Sequence, residues 1–144
     1  MKWIDITLPM SAEYPPWPGL MPFSIGSHTK MEDGDDYNAT HLSMNSHFGT
    51  HIDAPRHFLS DGGPVDELRL DYLIGPCQVF ELACPQAIGK KDLEGLDLND
   101  VERVLFKTNN KKILHDKKFH QDYVGIDASG ARYLVERGTK VVGV

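Results

Sequence analysis

Three histidines and an aspartate, His47, His51, Asp53 and His57, fall within eleven residues of a 144-residue chain. Their spacings are four, two and four residues. All are even, so an extended chain projects the four side chains to one side. A helix would align His47 with His51 but turn Asp53 away. Gly49, Thr50 and Pro55 also oppose a continuous helix. An extended or looped backbone is therefore expected to gather two imidazoles and one carboxylate.

That donor set recurs in catalytic zinc sites and also suits manganese or iron. A structural zinc site closes with four protein ligands, often thiolates. No cysteine lies in this segment, so a position open to water is expected. Gly49 lets the backbone pass close to an ion, and Pro55 stiffens the path to His57. His57 could serve as a further ligand or as a proton carrier. A catalytic site needs a group that moves a proton near neutral pH, and imidazole is the side chain suited to it. His57 is assigned that role. His28, His41, His115 and His120 stand apart and are read as surface or hydrogen-bonded residues.

The elements around the segment are less sharply marked. Trp3, Ile4, Ile6 and Leu8 predict an opening strand. Residues 14–19, YPPWPG, form a proline-rich loop. Residues 23–25 predict a short strand, and residues 38–44 alternate, with Thr40, Leu42 and Met44 on one face. The EDGDD run at 32–36 and the DGGP run at 61–64 predict turns. Residues 68–74 are read as a short helix or irregular. Strands are expected over 78–82, 104–107 and 124–126, and a lysine-rich surface loop over 109–118. Ser129 is expected to cap a helix running to Arg137, with Gly138 as its stop. A strand over 141–144 then completes a βαβ unit and implies some parallel sheet. The fold class is strand-rich α/β or α+β, in one domain by length.

Composition narrows the function. A formal net charge of -6 argues against a nucleic-acid binder. No apolar run approaches a membrane span or a signal peptide, so the cytoplasm is the default location. Cys77 and Cys84 are too few for a disulfide scaffold and are read as small, partly buried apolar residues.

From His47 to His57 the chain resembles the cyclase-like metal hydrolases, whose hallmark is H-x-G-T-H-x-D-x-P-x-H. That family includes bacterial kynurenine formamidase (arylformamidase) and isatin hydrolase. Trp17-Pro18-Gly19 followed by Pro22-Phe23 resembles the W-P-G-x-x-P-F segment of the formamidases, with Leu20 and Met21 where those enzymes usually carry Asp and Thr. Asp61-Gly62, Ile74-Gly75-Pro76 and residues 103–108 also resemble family segments. The resemblance implies a mixed β/β/α swivelling-domain fold and a homodimer or tetramer. It implies one or two divalent metals, zinc or manganese, on His47, His51 and Asp53, with Asp53 bridging where there are two. It implies a catalytic His57 and a substrate-contacting Trp17. Family members continue past a G-I-D segment that this chain only enters at Gly143-Val144, and that region supplies a further His and Glu. The chain over 1–144 is thus expected to be incomplete at its C-terminus. Glu32, Asp33, His115, His120 and Asp122 are alternative donors that spacing does not rank.

The expected activity is hydrolysis of a small aryl formamide of the N-formylkynurenine type, as in tryptophan catabolism, or of a cyclic amide. The rival expectation is a non-catalytic protein that binds metal or a small ligand at an incomplete site.

Overall fold

The computed structural model describes residues 4–83 and 86–144. In chain order the elements are β1 (Ser24–Thr29), β2 (Ala39–Ser43), α1 (Leu70–Leu73), β3 (Gln78–Glu81), β4 (Ala87–Ile88), α2 (Lys90–Leu93), β5 (Arg103–Lys107), β6 (Gly125–Ile126), α3 (Ala128–Glu136) and β7 (Val141–Gly143). The class is mixed α/β, as expected, with three small sheets among the described residues. The chain forms two compact units, one reaching Val65 and taking in Asp116–Phe119, the other holding the remainder.

The first unit carries the histidine segment. There β1 pairs with β2 antiparallel, with Ile25 opposite Leu42 and a bulge between Ser27 and Thr29. The intervening acidic run is a turn fastened by its own side chains. Asp35 accepts from the Lys30 N–H, Asn38 accepts from the Met31 N–H, and Gly34 takes φ 96° to reverse the chain. The opening strand expected over residues 3–8 does not form among the described residues; Trp3 lies outside them. The backbone donors there go to side chains instead of a neighbouring strand. Thr7 N–H donates to Asp5 Oδ1 and Leu8 N–H to Thr50 Oγ1. Apolar β-formers make a strand only where a partner strand presents itself.

The second unit holds the main apolar core. Ile88, Leu93, Leu98, Val104, Phe106, Val124, Tyr133 and Leu134 are buried together. β3, β5 and β7 form a parallel sheet in that order, and β4 pairs parallel with β6. Parallel sheet was expected, but the βαβ unit is wired differently. β6 and β7 flank α3 yet lie in different sheets, and β7 pairs with β5. Strand neighbours are chosen by which edge is free to bond, a long-range fact that local pattern does not carry. β4 and α2 went unrecognised because each is only one short turn or bridge long.

α3 corrects the expected cap. Asp127, not Ser129, is the N-cap; its carboxylate accepts from the N–H groups of Ser129 and Gly130 and from the Ser129 hydroxyl. These bonds, the Ser129 hydroxyl first, hold the Asp127 carboxyl below its ordinary pKa. Gly138 ends the helix as expected, at φ 81° with Thr139 N–H bonded back to the Leu134 carbonyl. Of the cysteines, Cys77 is exposed rather than partly buried, and Cys84 lies outside the described residues.

Gly130 sets how closely α3 approaches β4. A Cβ there would stand 2.4 Å from the Ile88 carbonyl oxygen, which is backbone and cannot step aside. Gly130→Ala is therefore expected to destabilise the protein by about 1–3 kcal/mol, the usual cost of overpacking. Urea unfolding checks this. A midpoint equal to wild type would mean that the helix shifts at no cost.

Candidate metal centre

The segment after β2 leaves the sheet and turns. Asn45 opens the turn: its carbonyl accepts from Phe48 N–H and its side-chain Oδ1 accepts from His47 N–H at 2.8 Å. An Asn capping the N–H two residues on is an Asx-turn. Gly49 follows at φ 68°, a conformation that side chains with a Cβ rarely adopt. The chain then runs without regular structure through Asp53 into a 3-10 turn over Pro55–His57. The backbone is thus looped rather than extended, and two reversals do what an even spacing along a strand would have done.

This loop brings His47, His51 and Asp53 together. His47 Nδ1 lies 2.9 Å from Asp53 Oδ1 and 3.3 Å from His51 Nε2, and His51 Nε2 is 3.5 Å from the same carboxylate oxygen. One donor atom from each residue falls within 4.8 Å of the others. Among the described residues this is the group of His, Cys, Asp and Glu side chains that converges so; Glu32, Asp33, His115, His120 and Asp122 are not members. The His51 ring is aimed by its other nitrogen. Nδ1 lies 2.8 Å from the Gly49 carbonyl, which can only accept, so Nδ1 donates there and Nε2 is the nitrogen that faces Asp53. A ligand histidine is commonly oriented by such an outer bond. The side chains are 26%, 31% and 44% exposed for His47, His51 and Asp53, so a small molecule can reach them.

His57 stands beside this group rather than within it. Its ring centroid lies 4.1 Å from that of His47, tilted by 47°, and it packs edge-on with Phe58 at 4.2 Å. The 3-10 turn that carries it is braced by the DGGP turn. Arg56 N–H donates to the Gly63 carbonyl, and a Cβ on Gly62 would stand 2.6 Å from the Pro55 carbonyl carbon. Gly62 is therefore a packing requirement of the His57 turn, a role its place in a turn motif did not suggest.

Trp17 lies in the same unit, 51% exposed, with its ring edge-on to Phe119 at 5.0 Å. Its loop turns tightly: Leu20 N–H donates to the Trp17 carbonyl, and Gly19 takes φ 86°. Sequence reading missed Asn45 altogether. The available signal was an Asn two residues before a candidate ligand, at a site where the chain must leave a strand.

A family model described as a putative cyclase matches residues 4–144. Kynurenine formamidases from Bacillus mycoides (strain KBAB4) and Bacillus cereus (strain ATCC 14579) are each 37% identical to the chain, over 99% of its length and 68% of theirs. A solved structure of a potential metal-dependent hydrolase with cyclase activity superposes at TM-score 0.77 with 30% identity, covering 96% of this chain and 65% of that one. A predicted metal-dependent hydrolase from Bacillus stearothermophilus superposes at 0.76, also with 30% identity, over 96% and 66%. The chain thus spans about two thirds of the length of the relatives it matches.

Proposed function

This chain belongs to the cyclase family, and from that premise we propose that it is a metal-dependent hydrolase cleaving the carbon–nitrogen bond of an aryl formamide or cyclic amide. The observation that carries the reading is the convergence of His47, His51 and Asp53 on one small volume. The donor set fits a divalent ion. Two imidazole nitrogens and a carboxylate oxygen suit zinc or manganese, and among the described residues no thiolate joins the group. The Gly49 carbonyl supplies the outer bond that such sites use.

In this reading His47, His51 and Asp53 hold the ion. A bound divalent ion supplies Lewis acidity, polarising the scissile carbonyl and easing loss of a proton from water. His57, next to His47 and open to solvent, takes that proton and returns it to the departing nitrogen. The water oxygen bonds to the carbonyl carbon, the carbon–nitrogen bond breaks, and an aryl formamide yields formate and an aryl amine. Trp17 offers an exposed aromatic face for the ring of the substrate. A homodimer or tetramer in the cytoplasm goes with this reading. No helix among the described residues is long and apolar enough to cross a membrane.

The test is metal content by elemental analysis, then turnover of aryl formamides, lactams and esters before and after a chelator. The expected result is one or two equivalents of divalent metal and chelator-sensitive loss of formamide or lactam cleavage. Bound metal with no cleavage of any of the three would replace this reading with a binding protein.

A further inference from the structure

We propose that Asn45 is a positioning residue that locks the metal-ligand loop and the Trp17 loop into one arrangement. The inference rests on the metal-dependent reading above. Asn45 uses both ends of its amide. Oδ1 accepts from the His47 N–H at 2.8 Å, and Nδ2 donates to the Met21 carbonyl at 2.8 Å. One partner can only donate and the other can only accept, so a single amide orientation satisfies both. His47 is a proposed ligand. Met21 is four residues past Trp17, immediately after the turn that runs from Trp17 to Leu20.

Two further contacts tie the Trp17 side to this region, one from the ligand loop and one from the end of β2. Phe23 stacks on Phe48, with centroids 4.8 Å apart and planes 14° from parallel, and both rings are buried. The Ser43 hydroxyl donates to Met21 Sδ at 3.1 Å. Stacked rings hold the loops together but tolerate sliding. The directional pair of bonds at Asn45 sets their register. Few side chains can replace it. Aspartate would accept from His47 but could not donate to Met21. Serine is able to cap the His47 N–H but is too short to span to the Met21 carbonyl.

Asn45 therefore has two separable effects. Through His47 it acts on metal affinity, and through Met21 it acts on the loop that meets the substrate ring. Asn45→Ala removes both, and Asn45→Ser restores the first alone. Zinc affinity is read by competition with a chromogenic chelator, and KM and kcat with an aryl formamide. Asn45→Ala is expected to weaken zinc by about 10–100-fold, the cost of losing an outer-shell partner. Asn45→Ser is expected to recover zinc affinity and kcat while both variants keep a raised KM. Wild-type zinc affinity and KM in Asn45→Ala would overturn the proposal. If the wild-type protein itself takes up no zinc, the metal-dependent reading falls, and hydrogen exchange at the His47 amide in zinc-free protein decides the positioning role separately. Protection in wild type and Asn45→Ser but not in Asn45→Ala upholds it; equal exchange in all three overturns it.

Discussion

Asp53→Ala is expected to leave the protein without bound metal. The Asp53 carboxylate is the only anionic member of the convergent group, and one of its oxygens lies within 3.5 Å of ring nitrogens on both histidines. Removing it leaves the two imidazoles and takes away the carboxylate charge of the group. Losing an outer-shell partner costs about 10–100-fold in metal affinity, and losing a direct ligand should exceed that. The side chain is 44% exposed in a surface loop, so the fold should tolerate the change. Elemental analysis after dialysis reads the outcome, with circular dichroism as the check on folding. Wild-type metal stoichiometry in a folded Asp53→Ala protein would remove Asp53 from the site. Asp53→Asn keeps the shape and loses the charge. If it also loses the metal, charge rather than packing is what the position supplies.

His57→Ala is expected to do the opposite: keep the metal and lose turnover by about 10²–10⁴-fold, the range that a positioned acid–base group contributes. The His57 ring touches His47 but offers no atom to the convergent group. With it gone, His47 keeps its carboxylate contact and its Asn45 cap. The two variants therefore separate two roles within one eleven-residue segment. A metal-replete His57→Ala enzyme with normal turnover would refute the proton-carrying role. A metal-free His57→Ala protein would make His57 a ligand instead.

The convergence of the candidate ligands was legible in the sequence because it is local. His47, His51 and Asp53 span seven residues, so one loop suffices to gather them, and their types already name the chemistry. The backbone that gathers them was less legible. Even spacing suggested projection from an extended chain, whereas a turn opened by Asn45 and a positive-φ Gly49 does the work. Both routes satisfy the same pattern, and spacing alone does not separate them.

Elements were legible where local signals agree. α3 showed its length and its stop at Gly138, because a terminating glycine acts on its own neighbours. Its cap was misread by two residues, since Asp127 and Ser129 are both good caps and the choice depends on where helical dihedrals begin. The cores of β2, β3 and β5 followed alternation or apolar runs.

Tertiary structure alone decided what depends on distant partners. Residues 4–8 carry strand-forming side chains but pair with no strand among the described residues, whereas Val141–Gly143 pairs with β5. Asn45 meets Met21 across 24 residues and Phe23 stacks on Phe48 across 25, so neither tie leaves a periodic trace. By itself the sequence determined the types and spacing of the candidate ligands and the α/β class, because each follows from neighbours along the chain. Which strand lies beside which, and how the Trp17 loop is seated on the metal loop, depend on hydrogen bonds and ring contacts that exist only once the chain has folded.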